Sequence, residues 1–155
     1  WQAHARPFAF EEIMEYTSGA FRWLNGTPVI PALYAAVEGP KIVRRAGIAA
    51  IRQKSLRLTS RLIELADARG FKVNAPRDPA QRGGTVAFDV PHGYEVTQHL
   101  LSRNILVDYR VGAGIRIAPH FFTLEDEPEA AIFEIDKSLE TGNWQRFTEK
   151  IAVVT

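Results

Sequence analysis

The chain has 155 residues, of which 46% are hydrophobic and 24% are charged, and these proportions exclude an intrinsically disordered chain. Its net charge of +1 gives no overall field that would favour nucleic acid or an anionic membrane. Cysteine is absent, which excludes disulfides and thiolate metal sites and fits a reducing, cytoplasmic location. No apolar run approaches the roughly 20 residues that span a bilayer. Because the chain starts at Trp1 rather than at Met, we expect a piece of a longer protein.

Residues 1–40 are rich in aromatic side chains but show little regular patterning. The aromatic residues among residues 1–27 are Trp1, Phe8, Phe10, Tyr16, Phe21 and Trp23. So much apolar surface on an irregular segment needs a second surface to cover it. We therefore predict an arm that comes from the end of a larger domain and faces a partner. A short helix is predicted over residues 30–37, ended by Gly39-Pro40.

The longest predicted element is a helix over residues 41–70. Its apolar residues recur at helical spacing along one face, and they are Ile48, Ile51, Leu58, Leu62 and Leu65. Gly70 is the expected C-terminal stop. A helix of this length would extend about 40 Å. We interpret it as a connector between a large domain and a small one.

Beyond Gly70 the apolar period changes from helical to extended. The predicted strands are residues 71–73, 85–90, 105–109 and 114–118, and the predicted helices are residues 94–103 and a last helix that starts at Thr123. Thr123 and Asp126 are interpreted as a capping box for that last helix. The order β-β-α-β-β-α predicts an α+β small domain over residues 71–142, with a mainly antiparallel sheet and helices on one face. We expect the tail, residues 143–155, to dock as an extra helix or strand.

A glycine-rich turn between two predicted strands carries the main candidate for ligand binding. In the strand after the turn, Arg116 alternates with Ile115 and Ile117, so it faces the opposite side of the sheet. From the pattern alone, Arg116 is either a solvated surface residue or a guanidinium aimed into a cleft. In the second case it would bind a carboxylate through two parallel hydrogen bonds. His120 is either a packed or surface histidine or a second residue of that cleft.

Several segments occur together in an order and spacing that characterise one enzyme family. They are Trp1-Gln2-Ala3-His4, Phe21–Pro28, Ile30–Leu33, Arg82–Val86, Val107–Arg110 and Arg116–Pro119. Up to about Leu139 the chain resembles the C-terminal part of the kynureninases. The resemblance implies a homodimeric, pyridoxal-phosphate-dependent hydrolase of fold type I and the aminotransferase class V group. Such enzymes act in tryptophan catabolism, where they cleave kynurenine or hydroxykynurenine to an anthranilate-type product and alanine.

The resemblance implies roles for three residues. Trp1 matches a tryptophan whose indole N–H helps to hold the cofactor phosphate in the partner subunit's site. Thr27 matches a second phosphate-binding position. Arg116 matches the arginine that binds the α-carboxylate of the substrate. From the pattern alone, Trp1 would be a disordered terminus and Thr27 a helix cap before Pro28.

The resemblance also implies which parts of the enzyme lie elsewhere. In the family, the lysine that carries pyridoxal phosphate, the aspartate at its pyridine nitrogen and a phosphate cradle lie upstream in a large domain. None of the lysines here has the matching context, and they are Lys41, Lys54, Lys72, Lys137 and Lys150. We therefore expect no catalytic residue in this segment and no activity from the chain alone. The expected partners are the large domain, a second subunit and a small amino-acid substrate.

Two other functions stay open. One is a related class V enzyme, such as a cysteine desulfurase or an aminotransferase, that shares the small domain but not the substrate. The other is a non-catalytic binding or dimerisation module. Nucleic-acid binding is not expected, because the basic residues of the long helix spread around the side opposite its apolar face. The histidines lack metal-site spacing, so no metal is predicted.

Overall fold

The computed structural model describes residues 1–148. The chain forms two compact units, Trp1–Gly47 and a second that begins at Ile48. Within residues 1–148, no helix is both long and apolar enough to cross a membrane. The last part of the predicted tail, with Ile151–Val154, lies outside the described residues.

The first unit has little regular structure apart from short helices. A 3₁₀ helix spans Gly19–Trp23, α1 spans Ile30–Ala36 and α2 spans Glu38–Ala46. The predicted short helix is confirmed as α1, but it ends at Ala36, and Gly39-Pro40 lie inside α2 rather than forming the break. Pro40 falls in the first turn, where backbone N–H groups have no partner within the helix, so its missing N–H removes no hydrogen bond.

The second unit begins with α3, Ile48–Asp67. The sequence predicts one helix over residues 41–70, but the structure divides this stretch into α2 and α3. Gly47 lies between them at φ +84 and ψ 125, a conformation that glycine adopts without a side-chain clash. Gly70, at φ +71, reverses the chain after α3, as expected of a C-terminal stop. The division into arm, connecting helix, small domain and tail stays a prediction.

A four-stranded antiparallel sheet follows, with two further helices. Its strands are β1, Lys72–Val73, β2, Val86–Asp89, β3, Asp108–Arg110, and β4, Gly114–Ile117. The helices are α4, Gly93–Ser102, and α5, Glu127–Thr141. The strands lie in the order β1-β2-β4-β3, and each neighbouring pair is antiparallel. This arrangement confirms the predicted α+β fold and its β-β-α-β-β-α order.

One face of the sheet packs against the helices. The buried strand residues on this face are Val86, Phe88, Ile115 and Ile117, and they form one core with α3, α4 and α5. Burying each such side chain contributes about 1.5–3 kcal/mol. The residues that alternate with them point to the opposite face, away from α3, α4 and α5.

The start of α5 differs from the prediction. The helix begins at Glu127, and the Thr123 hydroxyl accepts a hydrogen bond from the backbone N–H of His120 at 2.9 Å. Thr123 is therefore engaged in a turn before the helix, and the predicted capping box is wrong. The Glu127 carboxylate instead accepts the N–H of Leu124 at 2.8 Å. Glu127 and Glu129 also place negative charge in the first turn, which the helix dipole favours.

The described part of the tail packs against the second unit. A 3₁₀ helix spans Asn143–Phe147 and contacts α4 and α5. Trp144 packs against the hydrophobic core, and its ring stacks on the ring of His92 with centroids 3.5 Å apart. This contact closes the end of the core beside the start of α4.

Candidate functional site

Arg116 lies on the face of the sheet that points away from α3, α4 and α5, here called the open face. Its neighbours in β4, Ile115 and Ile117, are buried in the core, so strand alternation turns the arginine to the opposite side. Across the sheet it lies between Ala87 on β2 and Asp108 on β3. The Arg116 side chain is 36% exposed, which leaves it accessible to a ligand.

Asp108 binds Arg116 through both carboxylate oxygens. Nε of Arg116 donates to Oδ1 of Asp108 at 2.6 Å, and Nη2 donates to Oδ2. This two-bond fork holds the guanidinium in a fixed plane. The hydrogen bond from Arg116 lowers the pKa of Asp108, and the same bond raises the pKa of Arg116. Both groups are therefore charged at neutral pH.

The open face of the sheet carries several charged side chains. Its charged residues are Lys72, Asp89, Asp108, Arg110 and Arg116. Lys72 pairs with Asp89 at 3.3 Å, and Nε of Arg110 lies 3.7 Å from Oδ2 of Asp108. Each carboxylate thus lies beside a cation of the same face.

The guanidinium of Arg116 keeps donors for a ligand. Asp108 engages Nε and Nη2, whereas Nη1 has no hydrogen-bond partner among residues 1–148. A carboxylate that approaches the Nη1 end would meet a charged donor already held in position. This geometry suits the binding of a small carboxylate.

The glycine-rich turn sets the position of Arg116. Gly114 opens β4 at φ +87, and a Cβ at this position would overlap the carbonyl oxygen of Phe88 on β2. Only glycine therefore permits this approach of β4 to β2. Arg110 pairs with Gly114 across the turn, and two residues further along each strand Asp108 pairs with Arg116.

His120 contacts its own neighbours rather than Arg116. Its ring lies 4.6 Å from the ring of Phe121 and 4.3 Å from that of Phe122, measured between centroids. It also lines a largely apolar cavity of about 520 Å³, together with Ile117 and Ala131. Because Ile117 points away from the open face, this cavity lies on the helix side of the sheet. A role for His120 beside Arg116 stays a prediction.

Trp1 and Thr27 lie in the first unit, whereas Arg116 lies in the second. The Trp1 ring packs against Phe8 at 5.0 Å and Phe10 at 6.1 Å between centroids, and Trp1 is 42% exposed. Thr27 is also exposed. Within residues 1–148, neither the indole N–H nor the Thr27 hydroxyl has a hydrogen-bond partner. Both are thus available as neutral donors to an anion such as a phosphate.

His4 closes the loop that carries Trp1. Its buried ring accepts the backbone N–H of Arg6 at Nδ1 over 2.8 Å, so the proton of the neutral ring resides on Nε2. Nε2 then donates to the carbonyl of Ile13 at 3.3 Å, and the backbone N–H of His4 donates to the carbonyl of Trp1 at 3.2 Å. The position of Trp1 therefore depends on His4, a role that the sequence analysis did not anticipate.

The sequence analysis also missed the pairing of Asp108 with Arg116. Both residues belong to the glycine-rich motif, and antiparallel pairing of its two strands around the turn brings residue 108 opposite residue 116. The register of this hairpin was the signal that could have identified the pair.

Comparisons with known proteins give a consistent result. A family model described as the kynureninase C-terminal domain matches residues 51–132. A kynureninase of Burkholderia mallei (strain SAVP1) is 37% identical over 114 residues, and one of Pseudomonas fluorescens is 38% identical over the same length. Each match covers 71% of this chain and 27% of the relative. The chain therefore spans about a quarter of the length of the curated relatives it matches.

Solved structures share the fold. A cysteine desulfurase from Thermococcus onnurineus NA1, in its apo form, matches with a TM-score of 0.69 over 83% of this chain and 36% of that chain. A NifS-like protein matches with a TM-score of 0.62 over 81% of this chain and 38% of that chain. The sequence identities are 22% and 21%, so these matches show the fold alone.

Proposed function

The chain belongs to the kynureninase C-terminal domain family, and on that premise we propose that it is the C-terminal portion of a pyridoxal-phosphate-dependent hydrolase. The complete enzyme would add water across a carbon–carbon bond of kynurenine or hydroxykynurenine and release an anthranilate-type product and alanine. We place this enzyme in the cytoplasm. This segment would bind substrate and cofactor, and the catalytic groups would come from the rest of the protein.

The observation that carries the proposal is the position of Arg116 and its hydrogen bonding to Asp108. Arg116 lies on the open face of the sheet, where Asp108 holds its guanidinium and Nη1 has no hydrogen-bond partner among residues 1–148. An α-carboxylate is the part of an amino-acid substrate that such a guanidinium recognises. Holding the carboxylate fixes the rest of the substrate relative to the reacting bond, and positioning of this kind lowers the barrier.

Trp1 and Thr27 would bind the cofactor phosphate. When bound, pyridoxal phosphate supplies an electron sink for carbon–carbon cleavage. The donor set fits a phosphate, because the indole N–H and the hydroxyl are both exposed and engage no other residue among 1–148. As neutral donors they would share the anion with positive groups of the large domain.

A second subunit and the large domain are the partners that we propose. The relatives are nearly four times as long as the matched region, which leaves room for a large domain. The first unit exposes many apolar side chains, among them Phe8, Phe10, Ile13, Phe21 and Trp23. A surface of this composition is typical of an interface.

Kinetics of the full-length protein test the proposal. We expect it to convert L-kynurenine or 3-hydroxykynurenine to the corresponding anthranilate and alanine, measured by product fluorescence. In Arg116→Lys, KM should rise about tenfold or more, because lysine cannot reproduce the two-bond fork with Asp108 that holds the guanidinium. An unchanged KM in Arg116→Lys would contradict the proposed role.

The same assay distinguishes the other functions. Release of alanine from L-cysteine, with sulfide formed when a thiol reductant is added, and without turnover of either kynurenine, would identify a related class V desulfurase. No turnover of any of these substrates by a folded protein saturated with pyridoxal phosphate would indicate a non-catalytic binding or dimerisation module. The shared fold of the desulfurase does not favour that substrate, since its identity with this chain is only 22%.

A further inference from the structure

Asp108 accepts hydrogen bonds from Nε and Nη2 of Arg116, the guanidinium that would bind the substrate. We propose that Asp108 is a positioning residue that stays bound to Arg116 during substrate binding and presents the Nη1 end to the incoming carboxylate. This inference rests on the proposed function, because it assigns a device for substrate recognition at the same guanidinium. The alternative is that Asp108 is a competitor that the substrate must displace.

The geometry of the pair supports positioning. Asp108 and Arg116 face each other on neighbouring strands, so the backbone pairing of β3 with β4 brings the two side chains together. The carboxylate engages Nε and Nη2, which form the side edge of the guanidinium. The Nη1 end of the group has no hydrogen-bond partner in the part of the chain that the structure describes. An arginine without such a partner would sample many rotamers and would have to lose that freedom on binding.

The charges around Asp108 argue against displacement. Asp108 lies between two guanidinium groups, with Arg116 in the fork and Nε of Arg110 at 3.7 Å. A substrate carboxylate that displaced it would have to break both interactions, whereas binding at Nη1 breaks neither. The lowered pKa of Asp108 keeps the carboxylate ionised across the neutral range.

The test compares Asp108→Asn with the wild type in the full-length protein. If Asp108 positions Arg116, KM for L-kynurenine should rise about tenfold while kcat changes less than about twofold, because the chemistry lies elsewhere. Inhibition by the α-amide of kynurenine, which has no carboxylate, should be unchanged. If Asp108 is a competitor, KM should fall, and an unchanged or lower KM would overturn the inference.

Matched variants keep the result interpretable. Asp89→Asn removes a carboxylate from the same sheet face. Because Asp89 pairs with Lys72 rather than with Arg116, KM should not change in this variant. In the double variant Asp108→Asn/Arg116→Lys, KM should rise no further than in Arg116→Lys alone, because Asp108 acts through Arg116. Additive effects would contradict positioning.

A second variant covers the case in which Asp108→Asn does not fold. Asp108→Glu keeps the charge but displaces the carboxylate from the fork, and it should raise KM by a smaller factor. If Arg116→Lys leaves KM unchanged, the proposed function fails. If Arg116→Lys raises KM but neither Asp108 variant does so, only the positioning role fails.

Discussion

Gly114 shows how the space around one Cα atom affects the position of a functional side chain two residues further along the strand, that of Arg116. Its Cα approaches β2 so closely that a methyl group would overlap the carbonyl oxygen of Phe88. Gly112, in the same turn, has a similar φ of +79 but nothing within 4 Å of the position a Cβ would take. A side chain at position 112 would therefore meet only a strained φ, whereas one at position 114 would meet a strained φ and a steric clash.

We predict that Gly114→Ala destabilises the chain by about 3 kcal/mol, because β4 must move away from β2 in addition to adopting a strained φ. Gly112→Ala should cost about 1 kcal/mol, since only the strained φ applies. Chemical denaturation of both variants measures the difference in the free energy of unfolding. Equal losses would show that the close approach at Gly114 is not what requires glycine.

At the scale of elements, Arg82 joins the loop between β1 and β2 to α3. The side chain is only 3% exposed, and it donates to the hydroxyls of Thr59 and Ser60 on α3 at 3.2 and 2.9 Å. It also donates to the backbone carbonyls of Pro76 and Arg77 at 3.1 and 2.9 Å. A buried guanidinium that satisfies four acceptors fixes a loop that has no regular structure of its own.

We predict that Arg82→Met lowers the free energy of unfolding by about 2–3 kcal/mol, because the loop carbonyls lose a charged donor and methionine cannot replace it. The loop should also become sensitive to proteolysis at residues 74–85. Arg77→Met is the matched control, since Arg77 lies in the same loop but forms only an exposed pair with Asp67. Stability should change little in the control. If both variants behave alike, the buried hydrogen bonds do not hold the loop.

The elements that the sequence predicted well are those with a clear apolar period. The spacing of Leu58, Leu62 and Leu65 identified α3, and the alternation of Ile115, Arg116 and Ile117 identified β4 and the side to which the arginine points. Helix boundaries were predicted less well. Pro40 does not end a helix because it falls in the first turn of α2, where proline is tolerated. Whether a proline ends a helix therefore depends on where the helix starts, and the sequence predicts helix starts poorly.

Long-range side-chain contacts were harder to foresee than elements. The resemblance identified Arg116, but the partner that holds it depends on the register of β3 and β4, which a single residue shift would alter. Arg82 was part of a quoted motif, yet its four acceptors lie on two separate segments of the chain, α3 and the loop between β1 and β2. Such contacts follow from tertiary packing, which local sequence patterns do not encode.

At the scale of the whole molecule, apolar surface is distributed unevenly. Among residues 48–148, the second unit has a buried core of twelve residues drawn from α3, α4, α5, β2 and β4. In the first unit, α1 and α2 bury none of their residues, and Phe8 and Phe10 are 75% and 73% exposed. The first unit therefore does not cover its own apolar side chains, and the arm predicted from the sequence would need another surface for them.

We predict that the chain in isolation self-associates through this surface. Replacing Phe8 and Phe10 with serine should shift the chain toward monomer, because the aromatic cluster with Trp1 loses most of its apolar area. Sedimentation velocity over a range of concentrations measures the shift. Folding should be preserved, since both phenylalanines are exposed.

Leu106→Ser provides the control for this prediction, because Leu106 is 88% exposed but belongs to the second unit. It should leave association unchanged, which would locate the contact in the arm rather than in exposed apolar surface generally. A wild-type chain that stays monomeric at every concentration would contradict an arm built to cover a partner. Equal dissociation by both sets of substitutions would instead indicate nonspecific hydrophobic contact, since a specific interface depends on particular residues.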